Sequence, residues 1–244
     1  MKKTLAAVAL FVLMLSAAAL GAQKYGPDWA SLDSRPLPAW YDDAKFGIFI
    51  HWGVYAVPSR GEWYWYNLNH DPLALAYHNR IFGKDFRYAD FAPMFKAEMF
   101  EPEKWADLFV KSGAKYVVLT SKHHDGYALY PSKYSWNWNS VDTGPHRDLL
   151  GDLTSAVRAR GLKMGYYYSL YEWYNPLYQT KTDEYVANHM LPQIKELVEA
   201  YKPDILWADG QWEKHSDVWR SRELLSWLYN ESPVKDSIIV NDRW

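Results

Sequence analysis

The sequence predicts a parallel α/β fold assembled from strand and helix units joined by right-handed crossovers. Three features predict it. The apolar segments that read as strands are near-continuous, the pattern of strands buried on both faces. Helical patterns separate them, which is the alternation that parallel neighbours need for their crossovers. Each strand also runs into a polar or ionisable cluster at its carboxyl end, the side on which such folds collect their chemistry.

Taken in order, residues 46–52 form an apolar strand that carries His51 near its end. Pro102–Ser112 has helical spacing, with Trp105, Leu108 and Phe109 expected on one face. Residues 116–121 read as a buried strand leading into Lys122, His123, His124 and Asp125, and residues 148–160 as a helix stopped by Gly161. The third strand, 164–169, ends in Tyr168 and Ser169, and the helix 183–201 follows it. Residues 205–208 make a fourth strand that delivers Asp209. A helix at 219–229 then leads to a fifth strand, 237–240, and to Asn241, Asp242 and Arg243. A lone strand-end histidine is commonly a hydrogen-bonded structural residue. Five strands ending alike are not what core packing produces.

Composition narrows the function. The chain of 244 residues holds 14 Trp and 20 Tyr, an aromatic content of 18%, more than core filling requires, and amphipathic rings suit carbohydrate surfaces. A formal net charge of −2 leaves no positive excess for nucleic acid. The absence of cysteine excludes thiol catalysis, Cys-ligated metal and a lipoprotein anchor at the end of the signal. Lys2 and Lys3, the apolar run from Leu5 to Leu15 and the small residues up to Ala22 read as a secretory signal peptide over 1–22. The run is short for a membrane span, so the mature domain 23–244 is expected to be exported, periplasmic or secreted, and free of the membrane after cleavage.

The segment Ile205-Leu206-Trp207-Ala208-Asp209-Gly210 carries the sharpest chemistry. A carboxylate at the end of a buried strand, beside a flat aromatic face, suits sugar cleavage: the ring packs on a pyranose while the carboxylate attacks the anomeric carbon. Asp209 is therefore the candidate nucleophile. The competing reading is that Asp-Gly merely turns the chain.

Several long runs then become specific. Lys45-Phe-Gly-Ile-Phe-Ile-His51-Trp-Gly-Val-Tyr55, Glu62-Trp63-Tyr-Trp-Tyr66, Gly113 through Lys122-His123-His124-Asp-Gly126, Trp136-Asn-Trp-Asn139, Gly144-Pro-His-Arg-Asp148 and Leu206-Trp-Ala-Asp209-Gly-Gln-Trp212 resemble the α-L-fucosidases of glycoside hydrolase family 29. The resemblance extends from about Pro27 to Trp244. It implies a (β/α)₈-like (TIM) barrel, of which this chain carries roughly the first five β/α units. It implies a retaining exo-glycosidase that removes terminal α-L-fucose from fucosylated glycans, with Asp209 as covalent nucleophile and no cofactor. The same resemblance assigns His51, Glu62, Trp63, His123, His124, Trp207 and Arg243 to fucose binding. It adds a tyrosine at the end of strand three, taken as Tyr168, with Tyr167 left open by the run of three tyrosines.

Two questions remain at this level. A metal site built from His51, His123, His124 and Asp209 is disfavoured, because adjacent histidines on a strand point to opposite faces and converge only if the strand has already ended. A retaining mechanism also needs a second carboxyl group about 5–5.5 Å from the first. The resemblance puts that acid/base on a glutamate beyond residue 244 and gives neither Glu172 nor Glu213 the role. Five strands are expected to leave open edges that favour association, including into homo-oligomers. The alternative to an enzyme is a truncated, non-catalytic fucose-binding or carbohydrate-binding protein.

Overall fold

The computed structural model describes residues 25–244, and the expected signal peptide lies outside them. A single parallel sheet organises the domain. Its strands are β1 Gly47–Ile50, β2 Tyr116–Lys122, β3 Lys163–Ser169, β4 Ile205–Asp209 and β5 Ile239–Val240, and their spatial order equals their chain order. A doubly wound sheet reverses its order at a switch point; a barrel does not, so the topology is that of five consecutive barrel strands.

The helices are α1 Trp29–Asp33, α2 Ala39–Ala44, α3 Tyr64–His70, α4 Pro72–Ile81, α5 Pro102–Ser112, α6 Leu149–Ala159, α7 Pro176–Thr180, α8 Thr182–Tyr185, α9 Leu191–Tyr201, α10 Ser216–Trp219 and α11 Ser221–Asn230. Helix α5 begins on Pro102, whose missing N–H is an orphan at that position in any case. It ends at Gly113 in the left-handed conformation, φ +87°, that a side chain would resist. The strands are coated on both sides. Val117, Leu119, Met164, Tyr166 and Leu206 join the large core shared with the helices, while Val118, Tyr167, Ile205 and Ile239 form a small inner cluster.

Several expectations need correction. The strands expected at 46–52 and 237–240 shorten to β1 and β5, and the helix expected at 219–229 is broken at Arg220, whose φ of +54° separates α10 from α11. Leu108 is 63% exposed, because the buried stripe of α5 steps through Pro102, Ala106 and Phe109. The helix expected at 183–201 is interrupted by a π turn at Val186–Met190, which ends two residues before Pro192, a residue with no N–H to donate. Helices α3 and α4, between β1 and α5, were not foreseen. Among the described residues no helix is long and apolar enough to cross a membrane.

Candidate active site

Asp209 is the last residue of β4, and strand periodicity sets its face. Ile205, Trp207 and Asp209 alternate with the helix-facing Leu206 and Ala208. In register, Tyr167 of β3 lies beside Trp207. The Tyr167 hydroxyl donates to Asp209 Oδ2 at 2.7 Å, and Arg243 Nη1 donates to Oδ1 at 2.5 Å. Arg243 reaches it because the Asn241 side chain bonds both the N–H and the carbonyl of Ala208, at 3.0 and 2.8 Å, tying the chain after β5 to β4. Both carboxylate oxygens are thus fixed in direction, and Asp209 is only 9% exposed.

His124 stands next to it, with Nε2 3.7 Å from Asp209 Oδ2. Its tautomer follows from its neighbours. Ser169 Oγ donates to the Tyr171 carbonyl at 2.7 Å, so toward His124 Nδ1, also at 2.7 Å, it acts as acceptor. The proton is on Nδ1, and Nε2 presents a buried lone pair without a protein partner. Burial, aided by Lys122 and His51 and opposed by Asp209, lowers the His124 pKa to about 3. Burial also drives His123 well below the ordinary range, with His124, His51 and Lys122 adding to it. His51 is lowered by burial against the opposing charges of Glu62 and Asp209. The three imidazoles are held neutral, each able to accept as well as donate, as a polyhydroxyl ligand requires.

A β-bulge puts His123 in this group. The pairing of β2 with β3 slips between Thr120 and Lys122, so Thr120 lies opposite Tyr167 but Lys122 lies opposite Tyr168. The slip inverts the alternation: Lys122 turns to the helix side and His123 turns inward, stacked on Tyr167 at 5.4 Å and 5.3 Å from His51. β2 has ended by then, and the His123 and His124 rings sit 4.1 Å apart. Among the described residues no group of three or more His, Asp or Glu side chains has the geometry to hold a metal ion.

Aromatic faces complete the site. Trp63 meets the His124 ring at 5.1 Å and stacks on Trp212 at 6.3 Å, and Trp212 lies under the Arg243 guanidinium at 5.9 Å. Trp207 packs on Phe49, which in turn contacts His51. Of the residues expected from sequence, His51, Trp63, His123, His124, Trp207, Asp209 and Arg243 gather at the carboxyl end of the sheet, and Glu62 directly precedes Trp63 in the chain. Tyr168 does not. Its hydroxyl donates to Gln193 at 2.8 Å behind the sheet and Lys122 Nζ lies 4.1 Å over its ring, so Tyr167 is the tyrosine at Asp209. Ser169, Tyr171 and Trp173, which surround the His124 ring, were not singled out for that role from the sequence. Of these, Ser169 is the one the sequence marks, as a polar strand-end residue two positions from Tyr167 on the same face.

A parallel barrel wall whose carboxyl end gathers one oriented carboxylate, neutral histidines and tryptophan faces is the architecture of the carbohydrate-active barrels. The family model for alpha-L-fucosidase matches residues 12–244, and the chain belongs to that family. It is 52% identical to tissue alpha-L-fucosidase of Rattus norvegicus over 246 residues, 96% of this chain and 53% of that protein. With alpha-L-fucosidase of Branchiostoma floridae it shares 53% identity over 246 residues, 96% of this chain and 55% of that one. The crystal structure of Thermotoga maritima alpha-fucosidase in complex with fucose superposes with a TM-score of 0.79 at 41% identity, over 91% of this chain and 57% of that chain. The chain spans about half the length of the curated relatives it matches.

Proposed function

We propose that the protein carrying this sequence is a retaining exo-α-L-fucosidase acting on fucosylated glycans, with Asp209 as nucleophile. The observation that carries the reading is the fixed carboxylate: Tyr167 and Arg243 hold one oxygen each, with the His124 lone pair beside them. In the first step an Asp209 oxygen bonds to the anomeric carbon of fucose as the glycosidic C–O bond breaks, and a second carboxyl group gives its proton to the leaving oxygen. Water then attacks the same carbon, losing its proton to that second group and returning Asp209 as a carboxylate. Neutral His51, His123 and His124 bind ring hydroxyls, and Trp63 or Trp207 covers the apolar face that bears the methyl group.

Glu172 is unsuited to the second role. Burial pushes its carboxyl up, but Lys122 and His189 outweigh burial and hold it at about 2, too acidic to lend a proton near neutrality. Glu213 is exposed and accepts from the Tyr178 hydroxyl. We assign the acid/base to a glutamate outside residues 25–244, with export as expected from the N-terminal segment.

The test is proton NMR of 4-nitrophenyl α-L-fucoside hydrolysis by the full-length gene product. The first-formed sugar is expected to be α-L-fucose. Release of β-L-fucose first would mean inversion and remove the covalent role from Asp209, and no hydrolysis would leave a binding protein.

A further inference from the structure

Beneath the sugar site lies a cluster of ionisable groups with no direct part in this chemistry. Lys122 is fully buried, and its Nζ donates to Glu172 Oε1 at 2.6 Å. His189 Nε2 donates to the same oxygen at 2.8 Å, and Asn175 Nδ2 donates to Oε2 at 3.1 Å. A buried ion pair is weak evidence for stability by itself, since apolar residues of like volume commonly serve as well. What it connects is more informative. Lys122 ends β2, Glu172 lies in the 170–175 loop after β3, and His189 sits in the π turn, an irregularity frequent at functional sites.

That loop is the scaffold of His124. The Leu170 N–H donates to the Asp209 carbonyl at 2.8 Å and the Trp173 N–H to the His124 carbonyl at 2.7 Å, so the loop bridges the ends of β2 and β4. Tyr171 stacks on the His124 ring at 4.5 Å, and Trp173 meets it at 5.3 Å. Two glycines clear its path. A Cβ on Gly210 would fall 2.5 Å from Tyr171 Cδ1, and one on Gly126 would fall 3.1 Å from Glu172 Oε2. Both adopt positive φ, +88° and +77°, so the residues after Asp209 and Asp125 are shaped for close approach of this loop.

We infer that Lys122, Glu172 and His189 are positioning residues: together they tie the 170–175 loop to the end of β2 and thereby fix the His124 ring against Asp209. This rests on the fucosidase reading for its kinetic consequence but not for its structural one. His124 keeps its Nδ1 proton only while Ser169 and Tyr171 stay in register, and the buried cluster holds that register from below.

The experiment uses the full-length protein with His189→Ala, His189→Gln and the charge-free double variant Lys122→Met/Glu172→Gln. His189→Ala is expected to lower kcat on 4-nitrophenyl α-L-fucoside about 10- to 100-fold, the range for sub-ångström misplacement, with KM changed less than about threefold. His189→Gln, which can still donate to Glu172, restores most of the rate. Nitrogen-15 imidazole spectra give the reading that does not depend on activity: His124 should lose its single Nδ1–H tautomer in His189→Ala and in the double variant, and keep it in His189→Gln. Unchanged kcat and an unchanged His124 tautomer in His189→Ala and in the folded double variant would overturn the inference. So would equal rate loss in His189→Ala and His189→Gln. If the native protein hydrolyses no fucoside while His189→Ala and the double variant still show the tautomer change, the fucosidase reading falls and the positioning role stands.

Discussion

On the inner face of β3 Tyr167 gives its hydroxyl to Asp209, while one residue on, toward the helices, Tyr168 gives its hydroxyl to Gln193 and its ring to Lys122. Tyr166, one residue before, pairs with Thr154 behind the sheet. Three identical side chains in a row therefore serve one site residue and two framework residues, and strand alternation alone divides them. The two faces also differ in kind. The inner end holds neutral imidazoles with two unpartnered ring nitrogens, His123 Nδ1 and His124 Nε2, while the outer face holds a satisfied ion pair. Buried polar groups are ordinarily paired, and two orphaned imidazole nitrogens beside one carboxylate are groups a ligand can satisfy.

The comparison breaks most sharply at the carboxylate. Asp209→Ala is expected to lower kcat on the aryl fucoside by about four orders of magnitude, the scale of losing a covalent nucleophile. Turnover within about tenfold of the native protein would refute the assignment. The tyrosines sharpen it. Tyr167→Phe should cost about 10- to 100-fold in kcat/KM, by removing one of the two donors that aim Asp209. Tyr168→Phe should leave kcat/KM within about threefold but destabilise the fold by about 1–3 kcal/mol, because Gln193 Oε1 loses its partner in a dry interior. Paired steady-state kinetics and urea unfolding check both, and an exchange of the two phenotypes would refute the face assignment.

The smallest effect concerns pH. His124 in the fold takes a proton only near 3, against an ordinary value of 6.5. As pH falls from 6.5 toward 3 the unfolded chain binds the proton first, so stability present above 6.5 is lost across that window. His123 acts in the same direction. Glu172, held at about 2 against an ordinary 4.5, adds a further loss below 4.5. His124→Phe should therefore narrow the difference in urea midpoint between pH 7 and pH 4.5; an equal difference in variant and native protein would contradict the shift.

Much of this was legible in the sequence because it depends on local pattern. The succession of five parallel strands, the polar strand ends and the Asp209 turn follow from apolar runs and their exits, while the barrel order of the strands was implied by the family resemblance. Tyr167 was not resolved from Tyr168, because hydrophobicity is silent among three tyrosines and the register is fixed by β4. His123 faces inward through a bulge between Thr120 and Lys122, which no apolar pattern records. Leu108 was placed by hydrophobicity on the wrong side of α5, whose stripe is set by the smaller Ala106. The cluster of Lys122, Glu172 and His189 joins three segments far apart in the chain, and its members look like ordinary charges until folding removes them from water.

The central claim is that Asp209, aimed by Tyr167 and Arg243, forms the covalent intermediate. The most direct test is to incubate the full-length protein with a 2-deoxy-2-fluoro-L-fucosyl donor, digest it and locate the added mass by peptide sequencing. The account predicts a single label on Asp209, reduced in rate of formation by Tyr167→Phe and untouched by Tyr168→Phe. A label on another carboxylate, or turnover of the donor with no labelled peptide, would contradict it.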